Sequence, residues 1–336
     1  MTVRDRERLL RHAVEARRRA RRHRRDAVLA TVTVDAAPGI DPSAVVATGR
    51  RAGEPWTMYE QRDRDRRVVA TLGVVEALET RGAGRFVDVA DRWAHVAADA
   101  VGDLGTGADA EGLIAVGGFA FTDEGATTPV WDGFAAASLH VPRVALAGRD
   151  GHVRATIAVR VTADTDPAAL VEEALARVAA LRTARPPLLD PDPVRSARVV
   201  STLPPAHYED AVARGVQRIR AGQMEKIVLA REVQVVGRPT PDPAAVLGTL
   251  REAYDGCCVL AVGRGSRTFI AATPELLVRR DGHRVTTLAL AGTTRRSSDP
   301  SVESHLAEHL MRSTKDRDEH AIVVRRILDR LGAVAM

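Results

Sequence analysis

Residues 225–231 read Glu225-Lys226-Ile227-Val228-Leu229-Ala230-Arg231. The aliphatic run predicts a strand, extended to Val236 by Val233, Val235 and Val236. Strand side chains alternate, so Lys226, Val228 and Ala230 would share one face and Ile227, Leu229 and Arg231 the other. A lysine on an apolar face is either an edge residue that snorkels to water or a group whose charged form is disfavoured by burial. Composition draws further notice to it. Of 49 Lys and Arg only Lys226 and Lys315 are lysine, and asparagine is absent. Lysine, unlike arginine, changes its proton affinity readily and can serve as a base.

Outward from this stretch the pattern is regular. Towards the C-terminus it predicts a helix over 242–254, strands over 257–262 and 268–272, and a hairpin pairing 276–280 with 284–290 across Asp281-Gly282. Asp299-Pro300 opens a helix expected to reach about Leu331. Towards the N-terminus, 208–221 is helical and the four prolines of 185–194 mark a linker. Before it stand a helix over 167–183, a hairpin of 139–147 with 152–162, and a buried strand over 113–122 containing Gly117-Gly118-Phe119-Ala120-Phe121. A helix over 86–101, a strand over 68–78 and a strand over 27–34 precede these. Strands and helices mix without strict alternation, which predicts an α+β fold with antiparallel sheets and outer helices.

Charge is unevenly placed. Residues 1–25 hold 11 arginines against Asp5, Glu7 and Glu15, whereas the rest of the chain is slightly acidic. This segment reads as a basic, solvated amphipathic helix, set apart from 26–190 and from 195–336. Almost no aromatic residues interleave with it, so base stacking has no platform and nucleic-acid binding is not expected. No apolar run approaches the ~18 residues that span a bilayer, and no apolar region follows the basic start. The only cysteines, Cys257 and Cys258, are adjacent and read as buried hydrophobes, which points to a cytoplasmic protein.

Several short patterns carry chemistry. Thr273-Pro274-Glu275 closes a strand and aims a carboxylate; Leu290-Ala291-Gly292-Thr293 is a corner able to offer N–H groups to an anion. In Lys315-Asp316-Arg317-Asp318-Glu319-His320, Lys315 and Glu319 sit at i, i+4 and read alone as a surface pair. His305-Leu306-Ala307-Glu308-His309 matches a zinc-peptidase pattern but lacks an evident third ligand, so it reads as a polar helix surface. Gly263-Arg264-Gly265 lacks the rest of a dinucleotide fingerprint and reads as a turn.

Taken together, Lys226 in K-I-V-L-A-R, Glu275 in A-T-P-E-L-L, Gly292-Thr293 in L-A-G-T and Glu319 in K-D-R-x-E-H resemble the chorismate-utilising enzymes, most closely their isochorismate synthases. The resemblance is strong over 195–332 and fainter over 113–146. It implies the anthranilate synthase component I-like fold and Mg²⁺-dependent conversion of chorismate to isochorismate, with water added at C2 and the C4 hydroxyl lost. In that scheme Lys226 is the base, Glu275 the acid, Gly292 and Thr293 bind substrate, and Glu319 holds Mg²⁺. Aminating members of the family lack this lysine; salicylate synthases share it and go on to eliminate pyruvate. Product would feed menaquinone or siderophore biosynthesis. Family members continue beyond the last helix with a second metal-binding Glu and further substrate contacts. The resemblance therefore implies a fold incomplete at its C-terminus, a poorly soluble and inactive fragment or remnant, and a monomer only when complete.

Overall fold

The computed structural model describes residues 1–62, 66–105, 112–181, 197–237 and 240–334. In chain order the elements are α1 (Val3–His23), β1 (Val28–Asp35), α2 (Pro42–Gly49), β2 (Gly53–Gln61), β3 (Arg67–Leu72), β4 (Glu76–Thr80), α3 (Arg85–Asp99), β5 (Val101–Gly102) and β6 (Val116–Phe119). There follow β7 (Ala137–Val141), β8 (Val144–Arg149), β9 (His152–Val161), α4 (Pro167–Ala179), β10 (Arg198–Ser201), α5 (Pro205–Arg220), β11 (Val233–Val236) and α6 (Pro243–Ala253). The chain ends with β12 (Cys258–Gly265), β13 (Arg267–Thr273), β14 (Arg279–Asp281), β15 (Arg284–Thr286), α7 (Pro300–Arg312) and α8 (Thr314–Leu331). The expected α+β class with antiparallel sheets is what forms. The proline-rich linker expected over 185–194 lies outside the described residues.

Two units result: residues 1–189 with 242–274, and residues 190–241 with 275–336. The first is built on an eight-stranded sheet in the order β13-β12-β2-β3-β8-β9-β1-β5, antiparallel except for β1 beside β5. Strand alternation divides its core. Val28, Ala30 and Val32 of β1, with Ile157, Val159 and Val161 of β9, pack under α1 and α4. Leu29 and Ala158 point the other way, towards Val141, Leu113 and α3. Under α2 and α6, Val45, Val46 and Leu247 close over Met58, Leu72, Leu146 and Val259. The segment 242–274 belongs here because β12 pairs with β2 from Cys258↔Gln61 to Gly263↔Trp56, covering an edge that would otherwise expose unpaired backbone groups. The chain thus passes from the first unit to the second near residue 190, as expected, and returns to the first over 242–274.

Helix α1 corrects the expectation of a solvated basic segment. Leu9, Ala13, Ala16 and Ala20 recur at helical spacing and are fully buried; the small alanines let the helix lie close on β1. Its arginines cap and pair locally. Arg8 donates to the Thr33 carbonyl (2.6 Å), Arg19 to that of Asp99 (3.2 Å) and Arg21 to that of Ala163 (2.8 Å), while Arg25 pairs with Asp99 (2.9 Å). The basic run thus fastens the helix to the sheet.

Other expectations shift for local reasons. The strand expected over 68–78 breaks at Gly73, whose φ of +66° turns the chain between β3 and β4. The buried strand expected over 113–122 is only β6, an exposed edge of the sheet β4-β7-β6; Phe121 is fully exposed. The close backbone approach at its glycines does occur, since a Cβ on Gly117 would lie 1.8 Å from the Ser138 carbonyl oxygen. Cys257 and Cys258 are half-buried rather than core residues.

The second unit holds the β10-β11 pair, α5, the β14-β15 hairpin, α7 and α8. No hydrophobic residue among its described residues is buried, and Val235, Leu277 and Leu328 are exposed. The single helix expected over 300–331 is two helices, because Ser313 leaves the helical conformation (ψ 113°) and its hydroxyl accepts from the Asp316 N–H to cap α8. No helix among the described residues is long and apolar enough to cross a membrane.

Candidate active site

All five expected site residues fall in the second unit. The strand expected to begin at Lys226 starts only at Val233. Residues 226–231 run between α5 and β11 without a pairing strand, and Val228, expected on a buried face with the lysine, is 81% exposed. Burial therefore does not press on Lys226 as the alternation argument supposed. Its neighbour is instead a charge: Lys226 Nζ lies 3.1 Å from Glu319 Oε1 on α8. Two residues 93 positions apart are held as an ion pair, both partly shielded from water.

Helix α8 supplies one face to this arrangement. Asp316, Glu319, His320 and Val323 stack at i, i+3, i+4 and i+7. His320 Nε2 stands 3.3 Å from the Ala289 carbonyl oxygen, which ties α8 to the segment before Gly292. Gly292 itself has φ +84°, and a Cβ there would lie 3.1 Å from Asp316 Cβ and 3.4 Å from Leu310 Cδ1. A residue with a side chain would have both the wrong backbone preference and too little room. Six residues beyond Glu319, Arg325 pairs with Glu225 at 2.9 Å, a second clasp between α8 and the lysine segment. Sequence reading missed both Arg325 and Asp316; for Asp316 the i−3 spacing from Glu319 was the available signal, whereas Arg325, at i+6, offered none of that kind.

The i, i+4 pair expected between Lys315 and Glu319 does not form. Lys315 is largely exposed and reaches only Asp316, at 3.9 Å, because Glu319 turns to Lys226. Thr293 is exposed beside Gly292. Glu275 is exposed where the chain enters the β14-β15 hairpin, whose far arm is tied back by Thr287 donating to the Leu277 carbonyl at 2.8 Å. It lacks the enclosure that an acid role would call for. His305 and His309 are exposed on α7.

A divalent cation needs a convergent donor set. Among the described residues no three His, Cys, Asp or Glu side chains come together, and Glu319 is occupied by Lys226. Mg²⁺ is normally held by one or two carboxylates together with waters and an anionic substrate. The described residues alone do not make such a site.

Comparison with known proteins fits this frame. The description "Chorismate binding enzyme" matches residues 13–336. The chain belongs to the chorismate-binding enzyme family. It is 34% identical over 260 residues to a protein described as "Salicylate biosynthesis isochorismate synthase" from Pseudomonas aeruginosa, a match covering 75% of this chain and 52% of that protein. It is 34% identical over 126 residues to the isochorismate synthase DhbC of Bacillus subtilis, covering 35% and 32%. The solved structure of MenF, the menaquinone-specific isochorismate synthase of Escherichia coli, superposes with a TM-score of 0.68 at 19% identity, covering 95% of this chain and 69% of that one, and it shows a shared fold. The chain spans about half the length of the curated relatives it matches.

Proposed function

We propose that this family member acts as an isochorismate synthase, interconverting chorismate and isochorismate. The observation that carries the reading is the Lys226–Glu319 pair at 3.1 Å, which unites the lysine that the resemblance assigns to water-adding members with the K-D-R-x-E-H carboxylate. The names printed for the relatives from P. aeruginosa and B. subtilis support it.

In this reading a neutral Lys226 takes a proton from water as the water oxygen bonds to C2 of chorismate. The ring double bond moves, and the C4 hydroxyl leaves as water with a proton from Glu275. One water enters and one departs, so the reaction is an isomerisation. Lys226 then returns its proton to solvent and Glu275 recovers one, which resets both groups. Glu319 contacts the lysine in this structure, so the base role requires the carboxylate to turn away first. Gly292 and Thr293 would face the substrate from the corner before α7. Mg²⁺ enters this reading through the resemblance alone, with Glu319 the residue assigned to it.

The test is incubation of the chain with chorismate and Mg²⁺, with products separated by liquid chromatography. Isochorismate is the expected product. Lys226→Ala should reduce its formation by about 10²–10⁴-fold, the usual cost of losing a general base, and Lys226→Arg should not restore it. Salicylate and pyruvate in place of isochorismate would move the chain to the salicylate synthases. A Lys226→Ala protein retaining more than about a tenth of the turnover would remove Lys226 from the mechanism.

A further inference from the structure

The first unit carries an open cavity of about 720 Å³. The chain has only five phenylalanines and three tryptophans, yet Phe119, Phe121, Phe134, Phe269 and Trp131 all line this space. The rings are organised: Trp131 meets Phe134 edge-on at 5.8 Å and Phe269 at a tilt at 5.9 Å. A protein so poor in aromatic residues has concentrated them around one concavity.

Among the described residues that line it, one is a cation, Arg264. Along β12 the side chains alternate, with Val259 and Ala261 in the core and Leu260, Val262 and Arg264 on the cavity side. Arg264 is 7% exposed. Its one hydrogen bond among the described residues runs from Nη1 to the Gly263 carbonyl at 3.0 Å. Glu79 is near enough to favour the guanidinium electrostatically, but its carboxylate is engaged with His140 Nε2 at 3.2 Å. A buried guanidinium is ordinarily paired, commonly by a carboxylate that takes two of its N–H groups. Here the remaining N–H groups have no such partner among the described residues.

We propose that this cavity binds a small carboxylate carrying a flat apolar body: the acid on Arg264, the body among Trp131, Phe134 and Phe269. The planar fork of arginine suits a carboxylate, and offset or edge-on rings suit a flat hydrocarbon. Apolar walls with one well-placed polar group are the usual make-up of a small-molecule site. The inference does not depend on the isochorismate synthase reading, because every residue it uses lies in the first unit.

The test titrates the chain with 3-phenylpropionate and with its uncharged amide, following heat and tryptophan emission. The acid should bind saturably and about tenfold or more tighter than the amide. Arg264→Gln should erase that difference. Trp131→Phe should remove the emission change while calorimetric binding persists. Equal binding of acid and amide, no effect of Arg264→Gln, or no saturation by about 10 mM would overturn the proposal and leave an apolar packing surface. Should Arg264→Gln fail to fold, the acid–amide comparison on the unaltered chain still decides.

Discussion

Leu9→Ala tests whether α1 is part of the first unit's core. Leu9 has no exposed surface and lies among Ala13, Val32 and Val159. Truncation removes three buried carbons, about 2.4 kcal/mol at roughly 0.8 kcal/mol each. The space left behind adds a cavity term, since the sheet beneath cannot follow a single side chain, and the total falls at about 2.5–5 kcal/mol. For a unit of roughly 150–250 residues, each kcal/mol lowers Tm by about 2–4 °C, so a fall of about 5–20 °C is expected. Scanning calorimetry or thermal circular dichroism reads it. Arg18→Ala is the control: its side chain is largely exposed, with a loose contact to Glu15 at 3.8 Å, and should change stability by less than about 0.5 kcal/mol. If Leu9→Ala melts with the unaltered chain, α1 is a solvated extension and the burial argument for the basic run fails.

Two further outcomes follow from local geometry. Gly292→Ala forces a Cβ into a left-handed backbone against Asp316, at a conformational cost of about 1–2 kcal/mol before any clash. It should loosen the corner against α8 and lower isochorismate formation, with the melting of the first unit unchanged. His140 is held below the ordinary histidine range by burial, then by the nearby Arg264, against the opposing pull of Glu79. The unfolded chain therefore takes up this proton first, so stability should decline as pH falls from about 6.5 towards the lower folded-state value. His140→Gln should flatten that slope in urea titrations between about pH 5 and 7; an unchanged slope would exclude His140 as its source.

Much of the fold was legible because periodicity and punctuation agreed. The helix at 243–253 and the β12-β13 and β14-β15 hairpins follow from alternating aliphatics, Asp-Pro starts and an Asp-Gly turn. The errors share one physical origin: a local pattern says what a segment can form, whereas its partner decides what it does form. Residues 226–231 have strand composition but no neighbouring strand, so they stay outside a ladder. Residues 1–25 look like a solvated helix by charge, yet four small or aliphatic residues on one stripe were enough to bury it, with arginines reaching round to carbonyl groups. The helix break at Ser313 was likewise readable as a cap only once Asp316 was known to begin a new helix.

The candidate site shows the same division at the level of single groups. The family resemblance gave Lys226 and Glu319 separate roles, one as base and the other as metal ligand, while local spacing assigned Glu319 to Lys315. The ion pair between Lys226 and Glu319 makes these two roles mutually dependent. A carboxylate held by a lysine is not free to hold a cation as well. The proposed acid–base chemistry therefore asks that one carboxylate on α8 move away from Lys226.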